Sequence, residues 1–401
     1  MMKVKDKFQN NRKIMINTVS CTPDEGKELI KSLRSLKLSF MLWGATGVGK
    51  SEAVRQLAAE IDAELRDIRL CQKQPTDIGG LPALDHETRQ TVFYPPAFLA
   101  PRADGKTVVL FFDEISLAPD DTKGAVLGIL EERRQGSIEI PADWIIVAAG
   151  NRPEDLGLAR GLGAAANRRL LHIVIEPQLD ATLQHFMKIG VAAEVLAFLK
   201  VFPQHLSGEE SARAAKHELY PRPASWEKVS SVLEELRKAD KRTKHLAVAG
   251  IIGDSVAAEF MLLAEEVAKL KSVDELLEIQ RKTPSKIGAF LPDTINGLYA
   301  LSFAIATRAS EETAVELLEL INRFDEQTGE RFHALPMRDL QTMAGSLLLD
   351  KIWKAGWKVE NSKAFWRYNE KREAAANSNR DDDTNMLTAT SAATIAATAV
   401  A

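Results

Sequence analysis

Cysteine is almost missing from this chain. Cys21 and Cys71 are the only two among 401 residues, too few for a disulfide framework or a zinc centre, so we expect a reducing compartment and a cytoplasmic protein. Long apolar runs are missing as well. No segment approaches the ~18 apolar residues of a membrane span, and the opening MMKVKDKFQNNRK has no signal-like apolar core, so no membrane partner is expected. Charge of one sign is not in excess: a formal net charge of −4 and a pI near 6.1 give no net pull toward nucleic acid. No N-K-x-D run is present to read guanine. His86 falls in a polar loop and His172 in an apolar run, neither with a partner at metal-ligand spacing.

What the chain does have begins at Gly44. The octet Gly44, Ala45, Thr46, Gly47, Val48, Gly49, Lys50, Ser51 fits G-x-x-x-x-G-K-[ST]. It follows the apolar run LSFMLW and precedes the helix-like EAVRQLAAEI, which is the strand, loop and helix context of a phosphate-binding loop. Its glycines let successive N–H groups point at phosphate oxygens, and the helix N-terminus behind them favours negative charge. In that chemistry Lys50 reaches the β and γ phosphates and the Ser51 hydroxyl sits on Mg²⁺; Glu52 follows at the first helical turn. ATP and Mg²⁺ are the ligands expected.

The length exceeds the ~250 to 300 residues at which single cores stop growing, so at least two domains are expected. Residues 1–20 are polar and basic and read as a flexible tail. From Thr22 a cap-like Thr and Pro open a helix that leads to the Leu38 strand. ELRDIRL reads as a second strand, and the Pro- and Gly-rich stretch near 76–98 as an inserted hairpin. Phe93, Tyr94 and Phe98 either form its exposed tip or pack it onto its own domain. KTVVLFFDE is a continuous apolar run ending in two acids, suited to a strand buried on both faces whose carboxyl end meets the ligand crevice. It delivers Asp113 for the Mg²⁺ shell and Glu114 to polarise the attacking water.

A helix from Asp120 or Asp121 to Gly136 and the strand WIIVAA follow, the strand ending at Asn151, whose amide can hold the water or sense the γ-phosphate. LLHIVIE is the fifth strand, with Arg168 and Arg169 just before it. Five strands alternating with helices make a doubly wound α/β domain over residues 21–177. Beyond it the apolar residues recur at helical spacing, giving an all-α lid over 178–330 and C-terminal helices over 331–373; residues 374–401 are low in complexity and read as disordered.

GATGVGKS, VVLFFDE, IIVAAGN and ANRR, in that order, resemble the AAA+ ATPases of the MoxR group. DIGGLP, FYPPAFL, DEISLAP, LEERR, AAGNR and RPASWEKVSSVL extend the resemblance over roughly Leu38 to Leu291. The resemblance implies an αβα nucleotide domain with a five-stranded parallel sheet and a helical lid, assembling as a homo-oligomeric ring, usually a hexamer. It implies remodelling of a partner protein, typically one with a von Willebrand factor A domain. It assigns Gly44, Gly49, Lys50 and Ser51 to Walker A, Asp113 and Glu114 to Walker B, and Asn151 to sensor 1. Arg168 becomes the arginine finger acting in trans, with Arg169 standing where the family carries an aromatic residue. The sensor 2 wording Pro-Arg-Ser-Trp is here Pro223, Ala224, Ser225, Trp226, and Arg222 lies two residues before the altered position. Two other readings remain: a nucleic-acid motor or loader, and a nucleotide-gated scaffold with little turnover.

Overall fold

The computed structural model describes residues 19–102, 104–136, 138–152, 170–208, 219–327 and 329–374. Six strands form one parallel sheet: β1 (Ser20–Cys21), β2 (Ser39–Trp43), β3 (Glu64–Arg69), β6 (Val108–Asp113), β9 (Ile145–Gly150) and β10 (Leu170–Ile175), in the order β1-β10-β2-β9-β6-β3. The five-strand expectation omits β1. Two residues are too few to show a period, and Ser20 and Cys21 are strand only because they pair with Val174 and Ile175.

Continuous apolar runs suit this sheet because both of its faces are covered. Every residue of β2, β6 and β9 is buried. Successive side chains point to opposite faces. On one face Met41, Trp43, Leu110, Phe112, Ile146 and Ala148 pack with Val126, Ile129 and Leu130 of helix α4 (Asp120–Glu132). On the other, Phe40, Leu42, Val109, Phe111, Ile145 and Val147 pack with Ile30 of α1 (Pro23–Leu33) and Val54, Leu57 and Ala58 of α2 (Lys50–Glu60). The result is an αβα sandwich.

Local chemistry sets the helix limits. Thr22 caps α1 in a capping box, its hydroxyl accepting from Glu25 N at 3.2 Å while Glu25 Oε2 accepts from Thr22 N at 2.8 Å. Helix α4 ends at Glu132, before the expected Gly136, because Arg133 turns left-handed at φ 53° and its guanidinium bonds the carbonyls of Pro141 and Trp144. The short pair β7 (Arg134–Gln135) and β8 (Ile138–Glu139) follows.

Between β3 and β6 lie the five-residue helix α3 (Pro75–Gly79) and an antiparallel hairpin, β4 (Leu81–Asp85) and β5 (Gln90–Tyr94). Its turn, His86 to Arg89, is polar, whereas Leu81, Leu84, Phe93 and Tyr94 along the strands are exposed. Phe98 lies outside the hairpin and packs edge-on against Phe112 at 6.1 Å.

The chain divides into two compact units, Met1–Thr182 with Leu206–Lys228, and Leu183–His205 with Val229–Ala401. The second is helical where described. Its core is built from Leu298, Leu301 and Ile305 of the helix Ile295–Arg308, Leu318 and Ile321 of Ala314–Asn322, and Leu340, Leu348 and Ile352 of Met337–Ala355. Tyr368 closes this core, its hydroxyl bonded to Thr342 O at 2.9 Å. Among the described residues no helix is long and apolar enough to cross a membrane.

Helices α1 and α2 are clamped by Glu60, which accepts from Lys27 at 2.6 Å and Lys31 at 2.8 Å. The hydrogen bond from Lys27, then that from Lys31, lowers the Glu60 carboxyl to about 2. A carboxyl lowered on folding contributes fully above its ordinary value of 4.5 and loses that contribution as pH falls through about 2. Glu60→Gln should therefore make the loss of stability across that acid window shallower, as measured by urea unfolding at a series of pH values.

Candidate nucleotide-binding site

All of the sheet's strands run the same way, so their carboxyl ends lie along one edge, where open α/β sheets bind ligands. The register aligns Trp43 with Gly150 and with Val174, and Arg69 with Asp113. The loop after β2 and the acids after β6 thereby come to the same place, with the end of β9 between them.

The loop 44–49 has the backbone that its glycines permit. Gly47 has φ 81° and Gly49, which precedes α2, has φ 98°, conformations costly for other residues. Lys50 is buried and its ammonium donates to Gly44 O at 2.6 Å, Ala45 O at 2.8 Å and Asn151 Oδ1 at 3.3 Å. Ser51 Oγ donates to Asp113 Oδ2 at 2.7 Å, and Glu114 N donates to Asp113 Oδ1 at 2.8 Å. Asn151 is tied on both sides: its amide Nδ2 donates to Thr46 Oγ1 at 3.0 Å and its backbone N to Ser116 Oγ at 2.9 Å. Lys50 with Asn151 and Ser51 with Asp113 therefore form two hydrogen-bonded pairs set side by side by the consecutive residues Lys50 and Ser51, and Asp113 carries the bond on to the Glu114 backbone.

Glu114 takes a left-handed backbone, φ 57° and ψ 32°, at the turn out of β6. Its side-chain Oε2 accepts from Cys71 Sγ at 2.6 Å. That hydrogen bond, then burial, pushes the Cys71 thiol up to about 11. Asp67, on β3, is raised by burial first and by the Asp113 charge second. Cys71 was not among the residues read from the sequence as site candidates. Nothing in the sequence marks it: it falls beside Glu114 only through the pairing of Arg69 with Asp113.

Arg222 lies against the loop. Ala224 N donates to Gly47 O at 3.3 Å, and a Cβ added at Gly47 would lie 3.6 Å from Arg222 Cδ. The Arg222 guanidinium sits 4.3 Å from the centre of the Tyr220 ring and donates to the Tyr220 hydroxyl at 2.6 Å, while its Nε is buried with no hydrogen-bond partner among the described residues. Glu52 points elsewhere, its carboxylate accepting from Arg55 and Gln56 of its own helix; only its backbone is available to the loop. Arg168 and Arg169 lie outside the described residues. His172 is a half-buried structural partner, accepting at Nδ1 from Trp43 Nε1 at 2.7 Å.

The donor set fits Mg²⁺. The Ser51 hydroxyl and the Asp113 carboxylate are adjacent oxygen donors, and Mg²⁺ commonly takes one or two protein oxygens and fills its shell with water and substrate phosphate. Among the described residues no group of three or more His, Cys, Asp or Glu could hold a metal alone.

Residues 39–170 match the family described as AAA domain (dynein-related subfamily). The match spans β2 through β9 and contains Lys50, Ser51, Asp113, Glu114 and Asn151, so this part of the chain is similar to AAA domains. No curated protein matches the chain. Among solved structures, a "putative ATPase" from Cytophaga hutchinsonii is 14% identical, covering 70% of this chain and 73% of that one, with a TM-score of 0.29. NtrX from Brucella abortus is 15% identical, covering 71% and 67%, with a TM-score of 0.35. Scores of that size add nothing to the family match.

Removal of the Lys50 ammonium takes away a positive charge held by the loop carbonyls. Lys50→Ala should weaken ATP binding by on the order of 10²-fold, the scale of a lost charge-assisted contact to phosphate, in a titration with fluorescent nucleotide.

Proposed function

We propose that the chain is an ATP hydrolase of the AAA+ class, of MoxR type, which couples the nucleotide cycle to remodelling of a partner protein. One observation carries the hydrolase reading: the Ser51 hydroxyl bonds the Asp113 carboxylate at 2.7 Å, with Glu114 next along the chain and Asn151 bonded to Lys50. These two bonds tie the phosphate loop to the paired acids and to a polar amide.

In this reading the loop N–H groups and the N-terminus of α2 hold the β and γ phosphates, and Lys50 leaves the loop carbonyls to bond them. Ser51 and Asp113 would hold Mg²⁺, which when bound offsets charge on the phosphate oxygens. Asn151 steadies the attacking water. Glu114 accepts that water's proton as its oxygen bonds the γ-phosphorus and the bond to ADP breaks, leaving ADP and phosphate. Arg222, beside Gly47 with a buried Nε lacking a partner among the described residues, supplies a positive charge at the loop in place of the altered Ala224 position.

The resemblance to MoxR-group ATPases supports the rest. Arg168, or Arg169 beside it, reaches the nucleotide of a neighbouring subunit, so hydrolysis requires a ring of this chain, of about six copies. The client is a protein with a von Willebrand factor A domain.

Glu114→Gln should lower phosphate release by at least ~10²-fold, the usual worth of a positioned base, with ATP affinity retained. Unchanged turnover in Glu114→Gln would overturn the hydrolase mechanism. Arg222→Ala should lower ATP affinity or turnover at least fivefold while ADP binding changes less; equal losses for both nucleotides would remove Arg222 from γ-phosphate recognition.

A further inference from the structure

The Asn151 side chain has two unlike ends, and which of them meets the reacting water decides whether it helps. A water that attacks phosphorus aims a lone pair at it and gives its hydrogens to its neighbours, so those neighbours have to be acceptors. Glu114 is one. An amide presenting Oδ1 is a second, whereas the same amide turned over presents Nδ2–H, which would occupy the lone pair that the reaction needs.

Two partners fix the sense of this amide. Lys50 Nζ lies 3.3 Å from one end, and an ammonium only donates, so that end is Oδ1. The other end, Nδ2, donates to Thr46 Oγ1 at 3.0 Å. In the proposed cycle Lys50 turns to the phosphates. Thr46 is then the partner that remains to hold the amide. Both residues are anchored through their own segments: the Asn151 N–H donates to Ser116 Oγ at 2.9 Å, and Thr46 stands between buried Ala45 and the left-handed Gly47. Thr46 occupies a position that the G-x-x-x-x-G-K-[ST] pattern leaves open, so phosphate binding through the loop backbone gives its hydroxyl no task.

We infer that Thr46 is a positioning residue for Asn151, its hydroxyl accepting from Nδ2 so that Oδ1 is the end that accepts a hydrogen bond from the attacking water. This rests on the hydrolase reading of the site and deepens it. The task belongs to the hydroxyl and not to the shape of the side chain. Valine has the shape of threonine without the acceptor; serine keeps the acceptor without the methyl group.

The test reads turnover and the contact separately. Thr46→Val should lower kcat for ATP about fivefold with KM within about twofold, the scale of one oriented neutral hydrogen bond. Thr46→Ser should recover most of that loss. In an Asn151→Ala background Thr46→Val should cost less than about twofold, because no amide is left to orient. Thermal unfolding of each variant checks that it is folded. Independently of turnover, the Asn151 side-chain amide can be followed by NMR in protein labelled with heavy nitrogen at asparagine, and assigned by its loss in Asn151→Ala. Its proton resonances should move in Thr46→Val and stay near their wild-type positions in Thr46→Ser. Resonances unmoved by Thr46→Val would overturn the contact itself. Moved resonances with unchanged kcat, or a loss of the same size in the Asn151→Ala background, would overturn the positioning role and leave the hydrolase reading in place. Full turnover in Glu114→Gln would bring down that reading and this one with it, while the resonances would still report whether the amide and the hydroxyl touch.

Discussion

The hydrogen bond from Ser51 to Asp113 joins the first turn of α2 to the last residue of β6. These segments lie far apart in sequence and meet only because β2 and β6 flank β9 in one parallel sheet. Everything else in the site is arranged about that junction. Lys50 precedes the serine, Glu114 follows the aspartate, and Asn151 closes the strand between them. Parallel pairing is what makes such convergence possible, since it brings the strands' carboxyl ends to one edge and leaves the crossovers to cover the faces.

Much of this was legible before the structure. The phosphate loop is legible because its residue order answers to a ligand, and the buried strands because a sheet covered on both faces demands unbroken apolar runs. The capping box at Thr22 could be read in outline because its chemistry is local. The left-handed Arg133 was not legible: it stops α4 through bonds to the carbonyls of Pro141 and Trp144, which no window around the helix contains. β1 escaped for a similar reason, being a strand only by virtue of its partner β10.

The polar neighbours of the site divide along the same line. Asp113 and Glu114 announce themselves at the end of an apolar run. Cys71 and Arg222 do not, because each meets the site through a contact distant in sequence: 43 residues for Cys71 and Glu114, and for Arg222 its packing against the Gly47 loop. Sequence patterns report what a segment does with its own neighbours or with a ligand. Contacts set by tertiary register appear only once the register is known. Phe98 shows the converse: an aromatic grouped by sequence with the hairpin is claimed by the core, against Phe112.

The left-handed backbone at Glu114 also places the chain under two opposed demands. For a residue with a side-chain carbon this conformation carries a cost of roughly 1–2 kcal/mol that glycine escapes and asparagine partly avoids. A protein chosen for stability alone would drift away from glutamate at this position, since the relief is local and the fold would keep every other contact. Glutamate is kept there only while the carboxylate is used. On the proposed hydrolase reading, stability and chemistry thus compete at one residue, and screening variants of the domain for thermal resistance without screening for activity would enrich the loss of its own acid.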